Sequence, residues 1–122
     1  MKKLFISCPM NGRTDEAIRE TREKMHKIAE IIFGEKLEVI ESYFPRKAED
    51  EGSKNIANKK FGQSIAMLAE ADYFIYCSGA WDYRGCEIER EIAARYGVQS
   101  TCVPIDSVAP DAVEIAMRSV PV

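Results

Sequence analysis

The sequence predicts an α/β domain: an open, mostly parallel sheet of four to five strands with helices on both faces. Three observations lead there. Short apolar runs alternate with longer stretches whose apolar residues recur at helical spacing. Gly, Pro or Thr marks most of the switches between them. The alternation holds through the chain, so successive strands are joined by helical crossovers and lie parallel.

Lys3-Leu4-Phe5-Ile6-Ser7 is a short apolar run ending in a turn signal, the first strand. Thr14 then caps a long helix to about Phe33, closed by Gly34. Its apolar positions Ile18, Met25, Ile28, Ala29 and Ile32 keep helical spacing. Leu37 to Ile40 is the second strand. Tyr43 to about Lys54 is polar, carries Pro45 and Gly52, and reads as a loop, either a plain surface loop or a lid. A second helix runs from about Asn55 to Glu70, burying Ile56, Phe61, Ile65 and Leu68. Tyr73 to Cys77 is the third strand, and a third helix spans about Gly85 to Tyr96, ended by Gly97. Gln99 to Val103 is the fourth strand, and Pro110 opens a last helix, Asp111 to about Arg118.

Right-handed crossovers and a start in the middle of the sheet give strand order 2-1-3-4, a Rossmann/flavodoxin-like arrangement. The order reverses between the first and third strands. Their carboxyl ends carry 7–13 and 77–85, the two most irregular glycine-bearing segments. Ligands of open α/β sheets bind at such a switch point.

A chain of 122 residues is one domain, 1–122. No terminal tract resembles a signal peptide, and no apolar run approaches the ~18 residues of a membrane span. The cysteines Cys8, Cys77, Cys86 and Cys102 show no C-x-x-C spacing, and three of them fall in or beside strands as reduced core thiols do. The cytoplasm is the expected compartment, and neither a metal nor a cofactor is expected. A net charge of −3 implies no broad basic face for duplex nucleic acid, whereas a small anion can still be held by backbone amides and an arginine. His26, mid-helix without a partner motif, reads as a surface residue.

Three segments can carry chemistry. Ser7-Cys8-Pro9-Met10-Asn11-Gly12-Arg13 follows a strand and precedes a helix, offering amides, a hydroxyl, a side-chain amide and a guanidinium to an anion. A tight turn with a solvated arginine fits equally. Ser78 to Gly85 places Trp81 for stacking on a base or sugar, or for anchoring the loop, and Asp82 for a ribose hydroxyl, a base edge or a helix cap. Glu89 sits at the start of the third helix, with Gly85 and Ala93 on its stripe and Ile88, Ile92 and Tyr96 marking the buried face beside it. It is a nucleophile, a ligand clamp or an ordinary solvated glutamate. As a nucleophile it can attack an anomeric carbon.

Together these segments resemble the nucleoside 2-deoxyribosyltransferase superfamily, and more closely a small bacterial and phage branch of unknown function. The resemblance covers roughly 3–98. It rests on Ser7-Cys8-Pro9-Met10-Asn11-Gly12 after the first strand, Leu68-Ala69-Glu70-Ala71-Asp72 before the third, Ala80-Trp81, and Gly85 to Glu89 followed by Ala93-Ala94. It implies that Glu89 is the nucleophile and that the loop from Ser7 to Arg13 binds the ligand. It also implies a homodimer or higher homo-oligomer whose subunits complete one another's sites. Ser64 stands where the superfamily carries a sugar-binding aspartate, and Arg84 offers a charge suited to phosphate.

The expected function is therefore hydrolysis or deoxyribosyl exchange at the N-glycosidic bond of a nucleoside or nucleotide. Besides Glu89, the residues expected at the ligand are Ser7, Pro9, Met10, Asn11, Gly12, Arg13, Ser64, Trp81, Asp82 and Gly85. A module that binds a nucleotide without turning it over is the alternative, and an interaction domain on the same fold is a third.

Overall fold

The computed structural model describes residues 1–43, 56–80 and 83–118. Chain order is β1 (Lys2–Ser7), α1 (Asp15–Phe33), β2 (Leu37–Val39), α2 (Ile56–Leu68), β3 (Tyr73–Ser78), α3 (Arg84–Arg95), β4 (Gln99–Pro104), α4 (Ile105–Val108) and α5 (Pro110–Arg118). The strands form one all-parallel sheet in the order β2-β1-β3-β4. This is the Rossmann/flavodoxin-like arrangement predicted, with four strands among the described residues.

The strands are apolar on both sides because both faces of β1 and β3 are covered. Leu4 and Ile6 with Tyr73, Ile75 and Cys77 face Ile18, Met25 and Ala29 of α1, Val108 of α4, Ala109 at the joint that follows and Ala112 of α5. Phe5 and Phe74 point the other way, against Leu68 of α2 and Ala93 of α3. Their rings stack with centroids 5.8 Å apart. Thr14 caps α1 by accepting from the Ala17 N–H, and the Gly34 N–H closes it on Glu30 O.

Within the elements of the fold, the structure departs from the sequence reading at several points. Ile32 has the right spacing yet is 50% exposed, and the end of α1 packs instead through Phe33, which stacks on Tyr73. On α3 the buried residues are Cys86, Glu89 and Ala93, whereas Ile88 and Tyr96 are exposed. The small side chains of that helix let it approach the sheet, so the larger apolar ones fall on its flank. Cys102 lies in a strand but is exposed, since β4 is the sheet edge. The single turn α4 is too short to leave a periodic signature. His26 has partners: its Nε2 lies 3.0 Å from Leu37 O and 3.3 Å from Glu30, tying α1 to β2.

Candidate functional site

Because α1 leaves β1 over one face and α3 leaves β3 over the other, the carboxyl ends of these neighbouring strands open between the helices. Ser7 ends β1 with its side chain on the α3 side. Glu89 reaches it from α3, and Ser7 Oγ donates to Glu89 Oε1 at 2.8 Å. Both residues are buried, Glu89 with 8% of its surface exposed. The solvated-glutamate reading of this residue does not hold. Glu89 is the sixth residue of α3 and so sits in its second turn, where the helix-end field has weakened. Burial dominates instead and pushes its carboxyl up to about 7, opposed by the Ser7 hydroxyl and the Arg22 guanidinium.

Arg22 escaped the sequence reading. It is only 7% exposed and reaches from α1 to the carboxyl ends of β1 and β2. Its Nη1 donates to Ile6 O (3.3 Å) and Ser42 Oγ (3.5 Å), and its Nη2 to Ile40 O (3.3 Å). The signal was present: Ile18, Arg22, Met25 and Ala29 form one stripe at helical spacing, with a cation where a core residue belongs. Cys86 carries no such signal in the sequence. It is buried, and its thiol is held up by burial and by Glu89, while a hydrogen bond with Ser7 acts the other way.

The remaining candidates divide clearly. Pro9 is fully buried, and Met10 packs on the core while Asn11 is exposed on the loop. Gly12 takes φ +79°, which a side chain rarely adopts, and a Cβ there would lie 3.1 Å from Ile115 Cγ2. Gly85 faces the Phe61 ring, with 3.6 Å from a notional Cβ to Cε1. Ser64 is buried, and its hydroxyl donates to Ser42 O at 3.2 Å, so it braces the end of β2. Trp81 and Asp82 lie outside the described residues, as does the 43–54 loop beyond Tyr43.

Arg13 is placed differently from the expectation that it holds a ligand. Its Nε and Nη2 form a fork on Asp111 of α5 at 2.7 and 2.9 Å. Nη1 donates to Pro9 O (2.7 Å) and to Cys8 Sγ (3.6 Å), and Nη2 also to Thr21 Oγ1 (2.7 Å) and Ala17 O (3.2 Å). With its side chain 1% exposed, the guanidinium is committed to holding the loop in shape.

A small hollow beside the pair is lined by Tyr76, Cys77, Ala80, Cys86, Glu87 and Arg90, with room for about one water. Among the described residues no group of three or more His, Cys, Asp or Glu side chains is arranged to hold a metal ion. Nor is any helix there long and apolar enough to cross a membrane. No family model, curated protein or solved structure matches this chain. Its site is therefore read from its own geometry: a buried, hydroxyl-bound carboxyl at the strand-order reversal, with a buried guanidinium nearby.

Proposed function

We propose that this protein cleaves or exchanges the N-glycosidic bond of a nucleoside, nucleotide or related derivative, with Glu89 as the nucleophile. The observation that carries the reading is the buried Ser7–Glu89 hydrogen bond at the carboxyl ends of β1 and β3. The resemblance to nucleoside 2-deoxyribosyltransferases supplies the chemistry. Ser7 holds Oε1, which leaves Oε2 for the attack. The bond from Oε2 to the anomeric carbon forms as the carbon–nitrogen bond breaks, and the base departs with the electron pair and takes up a proton. Water, or an acceptor base, then releases the sugar and restores the carboxylate. Met10 and Trp81 would flank the base, and Asn11 and backbone amides of the loop would hold the polar end. The proposal includes a homo-oligomer, as the resemblance implies.

The test is release of free base, followed by chromatography, from a panel of nucleosides and nucleoside 5′-monophosphates. Base released by the wild type and absent with Glu89→Gln supports the reading. No base from any member of the panel after overnight incubation sinks it.

A second reading draws on one specific contact. Ser64, standing where the resembled enzymes have a sugar-binding aspartate, spends its hydroxyl on Ser42 O. A serine brings no negative charge to a developing oxocarbenium ion, which favours a module that binds a nucleotide without turning it over. Such a protein would melt at higher temperature with a nucleotide present, by mass action, and liberate no base.

A further inference from the structure

A buried guanidinium is costly to desolvate and calls for an anion or a full set of acceptors. The contacts of Arg22 are unusual in this respect. The acceptors its hydrogen bonds reach among the described residues are two carbonyls and a hydroxyl, all at 3.3 to 3.5 Å, the long end of the hydrogen-bond range. No carboxylate oxygen of the described residues lies within 4.0 Å of it as a salt-bridge partner. Its anchors are telling: Ile6 immediately precedes Ser7, and Ser42 is in turn held by Ser64. The guanidinium thus grips the backbone one residue before the hydroxyl that binds Glu89.

We infer that Arg22 is the positioning residue for Glu89, fixing the carboxyl end of β1 beneath Ser7 and supplying the buried positive charge that favours the carboxylate. This rests on reading Glu89 as the nucleophile. Arg22 does not touch the reacting atoms; it acts through Ser7 and through its field. Among the described residues, the charged and titratable groups around the pair are few. Cys86 on the same helix faces Glu89, and Cys8, Glu41 and Tyr43 face Arg22. Burial holds the Cys8 thiol up at about 11 and the Tyr43 phenol at about 12, so both are neutral near pH 7. Of Cys8, Tyr43 and Glu89, the group that changes charge between pH 5 and 8 is therefore Glu89.

The experiment is a carbon-13 NMR titration of the Glu89 side-chain carboxyl, assigned by its loss in Glu89→Gln, in wild type, Arg22→Lys and Arg22→Met. The midpoint should rise by about one pH unit in Arg22→Met, a tenfold change in ionisation, and return towards wild type in Arg22→Lys. An unmoved midpoint in a folded Arg22→Met overturns the inference. Should that variant fail to fold, the wild type decides alone: the Arg22 Nε resonance must shift with the Glu89 midpoint, and a flat trace overturns the inference. The same titration separates this inference from the reading it rests on. A moved midpoint in a protein that releases no base leaves the Arg22–Glu89 coupling standing while the glycosidic reading falls. Base release whose pH profile is identical in wild type and Arg22→Met keeps the glycosidic reading and removes Arg22 from it.

Discussion

Ser7 and Glu89 stand 82 positions apart in the chain and share a buried hydrogen bond of 2.8 Å. The parallel pairing of β1 with β3 creates that meeting, since Ser7 lies opposite Tyr76 near the end of the ladder and α3 returns over the same face. If the carboxylate is the nucleophile, Glu89→Gln keeps the acceptor for Ser7 and loses the attack. Base release should fall to background while nucleotide affinity changes less than about threefold. Ser7→Ala should cost tenfold to a hundredfold in turnover, the equivalent of about 1.5–3 kcal/mol for a hydrogen bond to a charged group. Chromatographic rates and a melting shift with nucleotide measure the two effects.

The raised carboxyl of Glu89 makes a prediction about stability that needs no substrate. Its value moves from 4.5 in the open chain to about 7 in the fold. The folded state therefore binds the extra proton between those limits, and stability falls as the pH rises through that window. Glu89→Gln removes the penalty. The variant should be more stable than wild type at pH 8, by up to about 3 kcal/mol, with the gap closing near pH 4.5. Denaturant midpoints across that range check it, and a gap that widens in acid contradicts it. Turnover by a carboxylate nucleophile should run the opposite way, rising with pH through about 7.

Arg13 and Asp111 predict a structural rather than a ligand-binding phenotype. Arg13→Ala removes a buried fork together with its bonds to Pro9 and Thr21, and should destabilise the fold by about 3 kcal/mol or more. Asp111 is held below its usual 3.8 by hydrogen bonds from Arg13. Its contribution is present above that value and lost as acid takes the pH down through the folded one. Thermal melts of Arg13→Ala and Asp111→Asn between pH 2 and 7 read both. A nucleotide affinity that collapses in a fully stable Arg13→Ala would return this arginine to the ligand.

Gly12→Ala should cost about 1–2 kcal/mol, because φ is positive there and the new Cβ meets Ile115 Cγ2 at 3.1 Å. A melting temperature equal to wild type would mean the loop relaxes without loss.

Strand order and the position of Glu89 were legible because both follow from alternation and from the glycine-punctuated turns, which are local signals. The burial of Glu89 was not, since a glutamate on a helix is usually solvated and only the small neighbours Gly85 and Ala93 hinted otherwise. Arg22 is hidden by the same habit: a charged residue does not register as part of an apolar stripe, although its spacing puts it among Ile18, Met25 and Ala29. The commitment of Arg13 was out of reach, because its partner Asp111 lies 98 positions away on a helix that no local pattern ties to the first loop.

The Arg13–Asp111 fork also bears on how the protein comes to be made. Helix α5 follows every strand of the sheet in the order of synthesis. The β-ladder and the Ser7–Glu89 bond use only residues that precede that helix. The turn from Pro9 to Arg13 therefore takes its shape from the last-made helix, not from the strand that it leaves.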